Sequence, residues 1–179
     1  MNNINVENKG TIKLNSKVMV SDPCYGLNTW CQGIVNNVLP GEYKCYVEYS
    51  DEGMFGVRVS AIEVVHQDYE RPMEFVPEDF EVGVDSGQAG IFDYDYYITY
   101  HSDYQQRPHV NDAWYDMVCD ITLNKEQAGV TEDFGLVSSS GYGDGGYTCW
   151  TARNNDGNII AIRVEYITED EDYDEEEEW

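Results

Sequence analysis

Net charge is the strongest constraint on this chain. It carries 35 Asp and Glu against 10 Lys and Arg, a formal net charge of −25 on 179 residues. Nine of the acidic residues lie within 169–179, so the residues before that segment still carry −16. Like charges repel one another in a compact body. Acidity on this scale therefore indicates a role such as solubility, cation binding or imitation of a polyanion.

The charge also limits the partners that the protein can approach. Nucleic acid phosphates and anionic membrane surfaces repel a protein of this sign, whereas basic protein surfaces and cations attract it. Ten Lys and Arg are also too few to form a phosphate-binding stripe. We therefore expect no direct nucleic acid binding, no membrane association, and a basic protein as the partner.

Composition predicts one folded domain with a charged extension. The chain is 41% hydrophobic and contains 15 Tyr, which is sufficient for a core at this length. We expect a single domain over residues 1–168 and an acidic tail over residues 169–179. No secretion signal or bilayer-length apolar run is evident, so we expect a cytoplasmic protein. Five irregularly spaced cysteines without a CxxC pair predict reduced thiols rather than disulfides or a zinc site.

Sequence patterning predicts an α+β, β-rich fold. Short segments of strand composition alternate with Gly, Asn and Asp turns, which favours antiparallel sheets arranged as a partial barrel or sandwich. The predicted strands cover residues 17–20, 33–38, 43–49, 54–65, 80–84, 91–100, 136–140, 147–152 and 158–167.

One main helix is predicted near residues 111–123, where apolar side chains recur on one helical face. These side chains are Trp114, Met117, Val118 and Ile121, behind a capping Asn111 or Asp112. Two glycine-containing turns predict hairpins. One turn, at residues 143–145, joins the strands predicted at 136–140 and 147–152, and the other, at residues 155–157, joins those at 147–152 and 158–167.

Three short motifs are candidate site loops. Residues 21–26 read SDPCYG, residues 84–93 read VDSGQAGIFD, and residues 138–147 read SSSGYGDGGY. Small residues let backbone amides approach a ligand, and Asp and Ser side chains can position a water molecule or a cation. Each motif also fits an ordinary turn between strands, so the residues alone leave both interpretations open.

The three motifs in this order resemble a family of bacterial and phage proteins classed as a domain of unknown function. The resemblance spans residues 17–167 and ends before the acidic tail. It implies a β-rich single domain and an origin in a phage or mobile element, which would place the protein in the bacterial host cytosol. It also nominates Asp22, Cys24, Asp85, Ser86, Gln88 and Asp144 as a shared site.

The preferred functional hypothesis is a non-enzymatic inhibitor whose acidic surface imitates a nucleic acid. Its partner would be a basic nucleic-acid-binding defence enzyme, and the composition resembles that of acidic anti-CRISPR and anti-restriction proteins. The acidic surface would occupy the basic nucleic-acid channel of that enzyme. The tail would supply a flexible anionic arm with Trp179 or Tyr173 as an apolar anchor. Its predicted binding residues are Glu169, Asp170, Glu171, Asp172, Asp174, Glu175, Glu176, Glu177, Glu178 and Trp179.

The alternative hypothesis is a metal-assisted hydrolase or nuclease, or a protein that sequesters a nucleotide in the same site. Here Asp22, Asp85 and Asp144 would meet at one end of a sheet and bind a divalent cation. Cys24 or Ser86 would serve as the nucleophile, although the sequence shows no partner base. An acidic body repels a polyanionic substrate, which weighs against this alternative.

Overall fold

The computed structural model describes residues 4–27, 29, 31–101 and 112–168. The acidic tail at 169–179, with all the binding residues predicted there, lies outside the described residues. The strands are β1 (Ile4–Leu14), β2 (Val18–Ser21), β3 (Gly33–Val35), β4 (Gly41–Asp51), β5 (Val57–His66), β6 (Val76–Val84), β7 (Gln88–Asp93), β8 (Ala128–Thr131), β9 (Gly135–Ser139), β10 (Gly145–Arg153) and β11 (Ile159–Glu165). The helices are α1 (Tyr94–His101) and α2 (Asp112–Thr122), with one 3-10 turn at Gly53–Phe55.

The strands form two antiparallel sheets, which confirms the predicted β-rich α+β class. A six-stranded sheet has the order β1-β4-β5-β11-β10-β6, and a five-stranded sheet has the order β3-β2-β7-β9-β8. The main hydrophobic core draws buried side chains from both sheets, among them Val20, Val47, Ile62, Ile91 and Leu136. The core therefore lies between the sheets, as in a sandwich.

Each sheet is also covered on its outer face. The two helices cover the five-stranded sheet, where Trp114 and Val118 of α2 pack with Phe92 and Tyr97. On the six-stranded sheet, Val65 and Ala161 pack against Met73 and Phe75, which follow β5 in the chain. Central strands such as β5 are consequently buried on both faces.

The predicted helix near 111–123 is confirmed as α2, but the strand predicted at 91–100 is wrong beyond Asp93. The aromatic residues after Asp93 have a composition typical of strands, whereas they form α1. Asp93 explains the change, since its carboxylate accepts a hydrogen bond from the backbone N–H of Tyr96 at 3.3 Å, as an N-cap does. One turn further on, His101 stacks on Tyr97 with ring centroids 4.2 Å apart. No helix in the described ranges is long and apolar enough to cross a membrane.

One predicted hairpin is confirmed and the other is wrong. β10 and β11 pair antiparallel around the turn at 155–157, as predicted. β9 and β10 do not pair, because β9 belongs to the five-stranded sheet and β10 to the six-stranded sheet. The glycine-rich segment between them crosses from one sheet to the other, with Gly141 at φ 64°.

A network of ion pairs lies on the outer face of the six-stranded sheet. The Arg71 guanidinium donates to Glu63 at 2.6 Å and to Glu48 at 2.8 Å. Arg163 donates to Glu63 at 3.0 Å, to Glu165 at 2.9 Å and also to Glu48. Burial by itself would raise the pKa of Glu48, but the hydrogen bond and charge of Arg163 lower it overall. The two arginines thus neutralise glutamates that the sheet buries.

Replacing Arg163 tests how much this network contributes to the free energy of unfolding. We expect Arg163→Met to lower the free energy of unfolding by about 3 kcal/mol, because it leaves buried carboxylate charge only partly compensated. Urea denaturation followed by circular dichroism measures the loss. The matched control is Arg153→Met, which removes an exposed guanidinium bonded to the Gly157 carbonyl and should leave the urea midpoint almost unchanged. Equal stability of the two variants would contradict the expectation.

Candidate functional site

The Asp22 carboxylate joins the first and second motifs. Asp22 follows β2 directly and is fully buried. Its Oδ1 accepts hydrogen bonds from the Cys24 backbone N–H at 2.8 Å and the Ser86 hydroxyl at 2.7 Å. Its Oδ2 accepts from the backbone N–H groups of Asp85 at 2.9 Å and Ser86 at 2.8 Å. Four donors therefore hold one buried carboxylate against the turn between β6 and β7.

Aromatic side chains from the helices hold the backbone of the same loop. The Tyr97 hydroxyl of α1 donates to the carbonyl of Tyr25 at 2.5 Å and to that of Asp22 at 3.2 Å. The Trp114 indole N–H of α2 donates to the carbonyl of Pro23 at 2.6 Å. Both aromatic residues are fully buried, so these bonds fix the loop against the helical layer.

The third motif meets the second. The backbone N–H of Ser140 donates to the carbonyl of Gly87 at 3.0 Å. The start of β10 pairs with the end of β6, with Gly145 opposite Val84. Between these two contacts the Ser140 hydroxyl donates to the carbonyl of Gly143 at 2.9 Å and closes the glycine-rich turn. The three motif loops therefore lie together where the two sheets connect.

The structure brings only some of the predicted site residues together. Asp22, Cys24, Ser86 and Gln88 form one connected group. The carboxylates of Asp85 and Asp144 belong to exposed residues. Within the described ranges, no three His, Cys, Asp or Glu side chains lie where they could share a metal ion. The Asp22 oxygens already accept four hydrogen bonds, so the observed arrangement is that of a structural junction.

Cys24 lies beside a second thiol that the sequence did not single out. The Gln88 side-chain amide nitrogen is 4.0 Å from the Cys24 sulfur and 3.8 Å from the sulfur of Cys119 on α2. Burial, assisted by the charge of Asp22, raises the pKa of Cys24 to about 12. Cys24 is consequently a protonated thiol at neutral pH, and a nucleophilic role would need a base to remove that proton.

A cleft of about 340 Å³ lies apart from the motif loops. The strands β1, β4 and β5 and the segment after α2 line it, through Asn5, Glu7, Tyr49, Asp51, Val57, Lys125 and Glu126. The ammonium group of Lys9 bonds Glu7 and Glu126, each at 3.0 Å. None of these residues was predicted as a site, because they are scattered along the sequence without a recognisable motif.

A family comparison extends over most of the fold. The family described as "Protein of unknown function (DUF4241)" matches residues 13–164. The chain belongs to this family. The predicted resemblance to a family of unknown function is thus confirmed, and the matched range contains all three motif loops. No curated protein and no solved structure matches the chain. The phage origin and the anti-defence role stay predictions.

Substitution of Asp22 tests whether the motif junction carries stability. We expect Asp22→Asn to lower the free energy of unfolding by about 3 kcal/mol, since an NH₂ group would face buried hydrogen-bond donors. Urea denaturation at pH 7 measures this. Asp85→Asn is the control, because it keeps the backbone N–H that Asp22 accepts and alters an exposed side chain. A stable Asp22→Asn protein would contradict the structural role.

His101 should give the protein a dependence on mildly acidic pH. Burial lowers the pKa of His101 to about 4 from its ordinary 6.5. Between those values the unfolded chain binds the proton and the folded protein does not, so stability falls as pH falls through this window. We expect a loss of about 2 kcal/mol between pH 7 and pH 5. His101→Phe keeps a ring against Tyr97 and should remove that part of the loss. An unchanged pH profile in urea denaturation would refute the assignment.

Proposed function

We propose that the protein is an acidic binding protein that inhibits a nucleic-acid-binding defence enzyme, of the anti-CRISPR or anti-restriction type. It would do so by occupying the basic nucleic-acid channel of that enzyme. The observation that carries the proposal is how the described charges are distributed. Arg71 and Arg163 form ion pairs with buried glutamates, whereas most described carboxylates are exposed. The negative surface is therefore poorly compensated and suited to a basic partner.

The β6 edge of the six-stranded sheet concentrates this charge. Asp79 and Glu81 are exposed on β6, and Asp85 follows at the turn into β7. From position 72 to position 106 the sequence contains no Lys or Arg. Asp79 and Glu81 are alternate residues of β6 and both are exposed, so they add two carboxylates to this edge. We propose that this edge and the acidic tail at 169–179 together supply the charges that replace phosphates.

An apolar projection would add specificity to the charged surface. Met54 and Phe55, at the tip of the β4–β5 hairpin, are 92% and 60% exposed. The Phe55 ring packs against Tyr142 with centroids 5.9 Å apart, and the Tyr142 hydroxyl donates to Glu52 at 2.7 Å. Tyr142 thus holds the hairpin tip in place through its contacts with Phe55 and Glu52. Large exposed apolar side chains beside acidic residues suit a partner pocket with a basic rim.

A site-based function remains the second candidate, because the three motif loops lie together. A metal-assisted hydrolase or nuclease, or a nucleotide-sequestering protein, would use Asp22, Cys24, Asp85 and Asp144. The saturated hydrogen bonding of Asp22 and the raised pKa of Cys24 weigh against it. Asp144→Ala would abolish such an activity while removing a single charge from an acidic surface, which leaves binding to a basic partner nearly intact.

The inhibitor proposal can be tested by displacement from DNA. Proteins of a bacterial lysate are bound to DNA-cellulose at low salt, and the purified protein is added as the eluent. We expect it to release a small set of basic DNA-binding proteins, identified by mass spectrometry, and to lose this effect as salt rises. A poly-glutamate peptide at equal charge concentration is the control for unspecific polyanion effects.

Matched variants locate the surface. The triple variant Asp79→Asn, Glu81→Gln, Asp85→Asn should release several-fold less protein than the wild type. A control with the same loss of charge, Asp116→Asn, Asp120→Asn, Asp156→Asn, alters exposed residues on α2 and the β10–β11 turn and should act like the wild type. Equal loss in both variants would remove the assignment to the β6 edge. Release no different from that by poly-glutamate would refute the function itself.

A further inference from the structure

Two cysteines distant in sequence share one side-chain amide. Cys24 lies in the loop after β2 and Cys119 lies on α2. Their sulfurs are 4.0 Å and 3.8 Å from the same nitrogen of Gln88, so they are at most 7.8 Å apart. Gln88 is 6% exposed, and its amide oxygen accepts a hydrogen bond from the Thr122 hydroxyl at 2.8 Å. That bond turns the amide nitrogen toward the two thiols.

Access to solvent separates this pair from the other cysteines. All five cysteines are free thiols. Cys31, Cys45 and Cys149 are buried in the protein, whereas Cys24 and Cys119 are both half-buried. The two cysteine residues that keep part of their surface exposed are therefore the same two that contact Gln88. Oxidation of thiols follows their accessibility as well as their ionisation.

We propose that Cys24 and Cys119 form a redox modification site at which a low-molecular-weight disulfide of the glutathione class oxidises them to an intramolecular disulfide. In the first step the Cys119 thiol loses its proton to solvent. Its sulfur attacks the small disulfide, forms a mixed disulfide and releases one small thiolate, which takes up a proton. In the second step hydroxide from the solvent removes the proton of the Cys24 thiol, the Cys24 sulfur attacks the Cys119 sulfur, and the second small thiolate leaves and takes up a proton from water. Overall, two cysteine thiols are oxidised and one small disulfide is reduced to two thiols.

The order of the steps follows from the surroundings of each thiol. Cys24 keeps its proton at neutral pH, because burial and the nearby Asp22 carboxylate disfavour its thiolate. We therefore assign the second attack to Cys24, which reacts once a mixed disulfide on Cys119 is held beside it. The sulfurs, which are at most 7.8 Å apart, must approach to about 2.05 Å to form the bond.

The crosslink would connect two layers of the protein. It would join the loop that holds Asp22 to helix α2 beside Gln88, which lies in the second motif. The chain between the two cysteines includes β3–β7 and α1. Closing a loop of this length restricts the unfolded chain, so the oxidised protein should be the more resistant to urea.

The test uses the full chain in its folded state. The protein is incubated at pH 8 with oxidised glutathione, quenched with N-ethylmaleimide and analysed by intact mass and peptide mapping. We expect a loss of about 2 Da from formation of one disulfide, with Cys24 and Cys119 in one crosslinked peptide. Urea denaturation of the product should show a higher midpoint than that of the reduced protein.

Single-cysteine variants distinguish the two roles. Cys24→Ser should stop at a glutathione adduct on Cys119, whereas Cys119→Ser should leave Cys24 largely unmodified. Cys45→Ser is the control and should crosslink like the wild type. Peptide mapping of the wild type decides the question even if a variant fails to fold. A wild-type product with only a glutathione adduct, with no reaction, or with crosslinks spread over the buried cysteines would overturn the proposal. None of these outcomes depends on the proposed inhibitor function.

Discussion

One buried carboxylate determines where the motif loops lie. Both oxygens of Asp22 accept two hydrogen bonds each, and a buried charge without such donors would cost several kcal/mol. The end of β2 and the β6–β7 turn can therefore fold only together. Tyr97 and Trp114 attach the two helices to the same loop through its backbone carbonyls. The motif residues thus make a junction between both sheets and the helical layer, whatever ligand or partner the protein has.

The small number of cationic side chains explains why the surface is strongly negative. An acidic chain has too few cationic side chains to pair with every carboxylate, so the position of each Lys and Arg matters. Here Arg71 and Arg163 stabilise Glu48 and Glu63 on the outer face of the six-stranded sheet. Exposed carboxylates such as those of β6 are left without equivalent partners in the described residues around them. The same distribution of charge thus stabilises the interior and leaves the exterior anionic, and our proposal of a basic partner starts from that exterior.

The local sequence pattern predicted much of the fold, but it failed for segments whose composition does not distinguish a strand from a helix or a loop. Strands with alternating or continuous apolar residues and the amphipathic α2 were recognisable. The edge strand β1 was missed because its first half exposes Ile4 and Val6 among polar residues. α1 was predicted as a strand because it is rich in aromatic residues, and the Asp93 cap that starts the helix is visible only in the structure. The site residues were predicted in part: Gln88 was nominated, but its contact with Cys119 was not.

By itself, the sequence determined the charge, the antiparallel β-rich class, the helix α2 and the position of the motifs in loops. These properties depend on composition and on the spacing of neighbouring residues. Only the tertiary structure decided that Asp22 is enclosed by donors rather than open to a cation, that β9 and β10 belong to different sheets, and that two thiols face one amide. Such contacts join residues far apart in the chain, and their geometry is fixed by the packing of the two sheets and the helices, which no local pattern encodes.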